Sequence, residues 1–181
     1  SGGCSRQTRV RRTADRQPVA MKILCTNDEG YMATGLRVLA SAATELGSVS
    51  TVAPDREQSA TSHSLTLHNP LRARRTVDGV FVVDGTPTDC VILGVNQLLP
   101  EKPEICLSGV NHGPNMGEDV LYSGTVAAAM EATVMGIPSI ALSYVGNRFE
   151  ELEGWQGVVQ AILQGILGRE TFPEDTLFNV N

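Results

Sequence analysis

Two carboxylates stand side by side in this chain, Asp28 and Glu29, within the run Thr26-Asn27-Asp28-Glu29-Gly30. The apolar run Lys22–Cys25 before them reads as a strand, so both acids fall at its exit. Adjacent carboxylates repel unless a proton or a cation lies between them, and a divalent metal is the usual answer. Acids ahead of a helix also serve simply as caps or face water. The second chemistry-bearing stretch is Ser108-Gly109-Val110-Asn111-His112-Gly113-Pro114-Asn115-Met116-Gly117, which runs toward a helix opening Ser123-Gly124-Thr125. Such a helix start offers N–H groups and hydroxyls to an anion, and small residues let a phosphate approach the backbone. Plain N-capping by Ser123 is the other reading. Neither a Walker loop nor GxGxxG is present. Of the histidines, His63 and His112 fall in candidate site loops and His68 in a hairpin.

The elements that must position these residues alternate between short apolar runs and amphipathic stretches. Strands are predicted at Lys22–Cys25, Val49–Ala53, Ile105–Leu107, Ser139–Ser143 and Leu177–Val180, and helices at Thr34–Leu46, Thr86–Leu99, Ser123–Met135 and Glu153–Leu167. The last helix carries Trp155, Val158, Val159, Ile162, Leu163, Ile166 and Leu167 at i, i+3, i+4, i+7 spacing. Between the second strand and second helix, Leu65–Ala73 and Val80–Val83 flank Asp78-Gly79, a hairpin signal. Ser108 to Tyr122 reads as a glycine-rich loop. This alternation predicts an α/β fold of three layers, Rossmann-like, with a mainly parallel sheet, helices on both faces and an inserted hairpin. Ligands of such sheets bind beyond the carboxyl ends of the strands. That rule puts weight on loops 26–31, 54–64, 108–122 and 143–150.

Composition narrows the classes. The 181 residues are 41% hydrophobic and 19% charged, which suits one globular domain and excludes a disordered chain. No apolar run has membrane-spanning length, so no membrane association is expected. Residues 1–20 carry five arginines (6, 9, 11, 12 and 16) and one acid, while the rest carries a net charge of −10. An acidic body argues against binding nucleic-acid polymers. The basic stretch is expected to be a disordered or non-native leader, since Met21-Lys22-Ile23-Leu24 reads as a natural start; arginine-rich, acid-poor character also fits a transit peptide. Cys4, Cys25, Cys90 and Cys106 form no CxxC pair. They read as reduced cysteines of a cytoplasmic protein, the last three buried in apolar elements.

Five motifs in order, TNDEG after the first strand, APDREQSA after the second, then GTPTDCV, SGVNHGPNMG and YSGTVAAAMEA, resemble the SurE family of metal-dependent 5′/3′-nucleotidases. The resemblance runs from about Met21 to Asn181, making 21–181 a SurE-like nucleotidase domain. It implies a Rossmann-like hydrolase that cleaves nucleoside 5′-monophosphates, and by extension 3′-monophosphates, to nucleoside and phosphate. It also implies one divalent metal ion held by Asp28, Glu29, Ser59 and Asn111, with Asp28 as the catalytic anchor. An all-oxygen set suits Mg²⁺ or Mn²⁺. By the same resemblance Asn115, Ser123, Gly124 and Thr125 hold the phosphate, and His63 or His112 protonates the leaving oxygen.

Three departures stand out. The family's second acid is normally aspartate, and here it is Glu29. Its extra methylene shifts the carboxylate by roughly 1–1.5 Å, where metal–oxygen distances tolerate about 0.2 Å. On that basis Glu29→Asp is expected to raise activity. Ser62 replaces a glycine before His63. Family members also continue past the last strand with elements that build dimers and tetramers. The chain is therefore expected to be a fragment or short form, and to be a homo-oligomer where that part is complete. Glu29 and the short C-terminus leave a non-catalytic nucleotide- or phosphate-binding module as the alternative. A phospho-receiver domain would need a lysine after its fifth strand, but the lysines are Lys22 and Lys102.

Overall fold

The computed structural model describes residues 20–58, 62–168 and 172–181. The leader expectation and Cys4 fall outside the described residues, apart from Ala20. Strands β1 (Met21–Thr26), β2 (Gly47–Pro54), β3 (Ala73–Arg75), β4 (Phe81–Val83), β5 (Ile105–His112), β6 (Ser139–Tyr144) and β7 (Leu177–Val180) form one sheet in the order β3-β4-β2-β1-β5-β6-β7. Neighbours run parallel except β3 and β4, the two arms of the hairpin.

Helices α1 (Thr34–Ala43) and α4 (Gln156–Leu167) cover one face, and α2 (Pro87–Leu93) and α3 (Gly124–Val134) the other. Strand β1 shows why both faces are needed. Ile23 and Cys25 pack with α1 residues, while Leu24 points the other way, toward Val91, Ala128 and Ala132. A strand buried on both sides reads as a continuous apolar run rather than an alternating one. Each fully buried leucine or isoleucine contributes about 1.5–3 kcal/mol. Helix α3 is built of small residues, with Ala127, Ala128, Ala129 and Ala132 all buried, and so lies close on the sheet. Helix α2 starts with a reciprocal cap. The Thr86 hydroxyl accepts the Asp89 N–H at 3.1 Å, and the Asp89 carboxylate accepts the Thr86 N–H at 2.9 Å. Cys25, Cys90 and Cys106 are buried free thiols, and burial pushes all three up, Cys106 to about 12. No helix among the described residues is long and apolar enough to cross a membrane.

Several boundaries differ from the sequence reading. Helix 86–99 divides into α2 and a π turn at Gly94–Leu98, and helix 153–167 begins at Gln156 after a 3₁₀ segment, Phe149–Trp155. A 3₁₀ turn such as the second commonly leads into an α-helix. The first arm of the hairpin is short, because Thr66 is taken up instead by α2, donating its N–H and hydroxyl to Asp89 at 3.0 and 2.7 Å. Most consequentially, β5 continues through Ser108 to His112, so Asn111 and His112 stand on a strand end rather than in a loop. The pairing of β5 with β6 shifts register between Ser108 and Asn111. Gly109 permits that bulge: its φ is +131°, and a Cβ there would lie 2.3 Å from the Leu142 carbonyl oxygen. Polar and glycine residues concealed the strand because the positions that pack there hold little apolar surface.

Gly109→Ala is therefore expected to cost about 2–6 kcal/mol, combining a disfavoured backbone with overpacking. Gly165→Ala, on the exposed side of α4 with open space around it, is expected to gain about 0.5–1 kcal/mol. Denaturant midpoints of the two variants check both signs.

Candidate functional site

Strand β1 delivers Asn27, Asp28 and Glu29 to the carboxyl edge of the sheet. Asn27 closes the turn, donating from Nδ2 to the Gly30 carbonyl at 2.9 Å. Its Oδ1 is buried without a hydrogen-bond partner among the described residues. Asp28 is 6% exposed and Glu29 half-buried. The second loop is tied to the first, since the Gln58 N–H donates to the Asp28 carbonyl at 2.7 Å.

Helix α3 meets Asp28 end on. The Thr125 hydroxyl donates to Asp28 Oδ1 at 2.6 Å, and the Thr125 N–H adds a further bond to the carboxylate. The approach depends on Gly124, because a Cβ there would lie 2.8 Å from Asp28 Cβ. Ser123 caps the helix, its Oγ accepting the Val126 N–H at 3.1 Å. Glu29 reaches across to β5, where its Oε1 accepts the His112 N–H at 2.8 Å. Asn111, next on β5, donates from Nδ2 to the Gly113 carbonyl at 2.9 Å.

Burial pushes the Asp28 carboxyl up, against the pull of Thr125, and Glu57 adds like-charge repulsion. Burial also pushes Glu29 up, against the His112 N–H, with further repulsion from Asp28 and Glu57. Among the described residues no lysine or arginine pairs with Asp28 or Glu29. This is an electrostatic deficit of positive charge, and the acceptors of Asn27, Asp28, Glu29 and Asn111 beside it are oxygens. The residues present thus fit a hard divalent cation better than a softer one. No group of three His, Cys, Asp or Glu side chains able to hold a metal occurs among the described residues. A cation here would therefore need the neutral oxygens of Asn111 and the loop after β2.

The structure brings Asp28, Glu29, Asn111, His112, Ser123, Gly124 and Thr125 to one place, and leaves others apart. Ser59 lies outside the described residues. Asn115 is engaged in a polar knot with the last strand: its Nδ2 donates to Ser143 Oγ at 2.8 Å, and its N–H to Asn181 Oδ1 at 2.7 Å. His63 contacts Glu131 Oε2 through Nε2 at 2.7 Å, about two turns along α3 from Gly124. The exposed His112 ring stacks on Phe149 with centroids 4.1 Å apart. Sequence reasoning missed Glu57, Gln58 and Asn27, though Glu57 and Gln58 lie inside the APDREQSA motif. Glu29 uses its extra methylene to reach the His112 N–H, a contact the sequence reading did not foresee.

This is an α/β protein whose strand exits gather two carboxylates beside a small-residue helix start. The family model described as "Survival protein SurE" matches residues 23–181. A protein of Gemmatimonas aurantiaca described as "5′-nucleotidase SurE" is 58% identical over 164 residues, covering 89% of this chain and 65% of its own length. A protein of Geotalea uraniireducens with the same description is 55% identical over 161 residues, with the same coverage. The crystal structure of the SurE protein from Aquifex aeolicus superposes with a TM-score of 0.81 at 46% identity, covering 87% of this chain and 64% of that one. The chain belongs to the SurE family. It spans about 65% of the length of the curated relatives it matches.

Thr125→Val removes a hydroxyl from a buried carboxylate and is expected to cost about 1–3 kcal/mol. Ser123→Ala removes only the cap and is expected to cost about 1 kcal/mol. Urea unfolding of both variants, without divalent cations, ranks the two roles.

Proposed function

We propose that this chain is a metal-dependent phosphomonoesterase, a 5′-nucleotidase that hydrolyses nucleoside 5′-monophosphates, and 3′-monophosphates as well, to nucleoside and phosphate. The observation that carries the reading is the adjacent carboxylates, Asp28 buried and Glu29 half-buried, with the first turn of α3 packed against Asp28. Relatives more than half identical and described as 5′-nucleotidases support the same activity.

Asp28, Glu29, Ser59 and Asn111 would hold one Mg²⁺ or Mn²⁺ ion. Such an ion polarises a phosphoryl oxygen and lowers the pKa of a bound water. The chain supplies the rest. Thr125 orients the Asp28 carboxylate through its hydroxyl, and Asp28 orients the attacking water. The start of α3 at Ser123, Gly124 and Thr125 presents N–H groups to the phosphate oxygens. Asn115 steadies the loop leading there. His112 or His63 protonates the leaving oxygen: the His112 backbone bonds Glu29 beside the acids, and His63 Nε2 is paired with Glu131. The same reading makes the protein cytoplasmic, in keeping with its buried free thiols, and a homo-oligomer where the family's C-terminal part is complete. It has residues 21–181 act as the nucleotidase domain.

Phosphate release from a panel of nucleoside monophosphates, with Mg²⁺, Mn²⁺ or chelator, tests the reading. Turnover is expected with metal and none after exhaustive chelation; nucleotide binding without turnover would favour a binding module instead. A saturating cation is expected to raise the melting temperature by about 5–10 °C, a shift lost in Asp28→Asn. Asn111→Ala is expected to weaken cation affinity about 10-fold or more. Glu29→Asp withdraws the carboxylate from His112, and kcat/KM is expected to fall by about 10- to 100-fold.

A further inference from the structure

Beyond position 20 the chain has nine basic residues, and four of them, Arg56, Arg72, Arg74 and Arg75, gather at the β2–β3–β4 edge of the sheet. Two are committed there. Arg74 lies over the Tyr31 ring at 5.1 Å, and Arg75 over Phe81 at 5.2 Å. The other two line a cavity of about 470 Å³ between the loop after β2 and the segment entering β3, with Gln58, Thr66, Asn69 and Thr86 among its other walls. Its size is in the range of small-molecule sites.

The wall of the cavity is tied through its backbone to the segment that carries Asp28. Gln58, in its wall, donates its N–H to the Asp28 carbonyl, and the Arg56 backbone lies against Gly30, 3.2 Å from where a Cβ would stand. The threonine hydroxyls are already spent, on Asp89 and on the Ser64 carbonyl. The guanidiniums are not. Arg56 stands 4.0 Å from Asp55 and Arg72 3.9 Å from Asp84, both too long for a forked hydrogen bond, with side chains 74% and 83% exposed. Asp84 instead holds the Arg72 backbone N–H at 2.6 Å, positioning that residue at the rim. The lining carries two cations and one carboxylate, Asp84, with Asp55 lying beside Arg56 outside the lining. Two guanidiniums with unused donors match the paired oxygens of a phosphate.

We propose that the Arg56–Arg72 cavity is a second anion subsite, which takes a phosphate carried on the substrate away from the ester being hydrolysed. Nucleosides bearing two phosphates are then the preferred substrate class. The proposal rests on the phosphomonoesterase reading of the Asp28 site and adds to it a group that a monophosphate lacks.

The test compares kcat/KM of the full chain for adenosine 3′,5′-bisphosphate against adenosine 5′- and 3′-monophosphate. The bisphosphate is expected to be favoured by about 10- to 100-fold, the worth of charge-assisted bonds to one phosphate. That ratio is expected to fall in Arg56→Ala and Arg72→Ala, to vanish in the double variant, to be partly kept in Arg72→Lys, and to stand unchanged in Arg37→Ala, a distant charge control on α1. A ratio near one in the parent protein, or one that survives the double variant, overturns the proposal. Calorimetric binding of the bisphosphate to the chelated protein gives an arm free of turnover. Preference that depends on Arg56 and Arg72 there, with no phosphate released from any nucleotide when metal is restored, sinks the enzymatic reading and keeps the subsite. Binding of inorganic phosphate that needs the two arginines, with no preference for the bisphosphate, assigns the cavity to a free ion and overturns the substrate claim.

Discussion

A carboxylate that is 6% exposed, with no lysine or arginine paired to it among the described residues, is the constraint on which the rest of this structure depends. Burying such a group costs several kcal/mol unless hydrogen bonds or a counter-charge offset it. Thr125 supplies the bonds, and can do so only because α3 arrives within contact distance of Asp28. That distance depends in turn on Gly124 at the contact and on the alanines behind it, which let the helix lie close on the sheet. Helix α3 lacks a single apolar stripe for the same reason: Gly124 to Ala129 are all buried, against sheet, α2 or Asp28.

The second carboxylate is handled differently. Glu29 is half-buried and spends its length on the His112 N–H at the end of β5. That N–H faces β1, since the next one along, at Gly113, is taken by the Tyr144 carbonyl of β6. Two strands neighbouring in the sheet are thus joined at their exits by a side chain as well as by the ladder. The bond fixes where Asn111 and His112 stand relative to Asp28. Stacking of His112 on Phe149 extends this support to the 3₁₀ segment ahead of α4.

On the opposite side the start of α2 performs a parallel task. Asp89 gathers the Thr86 N–H and both donors of Thr66, while the Thr86 hydroxyl holds the Ser64 carbonyl. The segment after residue 62 is thereby strapped over the sheet edge, with His63 on Glu131 as a further tie to α3. The straps leave the arginine-lined cavity open between them. The acidic body and the basic edge are therefore a spatial arrangement, invisible in a net charge of −6.

Much of this was legible in the chain alone. The alternation of Lys22–Cys25, Thr34–Leu46 and Val49–Ala53 announces a parallel α/β sheet, because period and apolar content are local properties that burial on both faces imposes directly. The same pattern marks Asp28, Glu29 and the Ser123-Gly124-Thr125 helix start as strand-exit groups, since position along an element decides that. Only the tertiary structure settled what each group touches. It set Thr125 on Asp28, ninety-seven positions away in the chain, and it gave Glu29 a partner that rewards its extra length. It extended β5 through Ser108-Gly109, residues whose local preference speaks against a strand. It also separated His63 from His112 by giving the first to Glu131. Such pairings depend on which helix packs on which strand and at what distance, and no local run of residues carries that information.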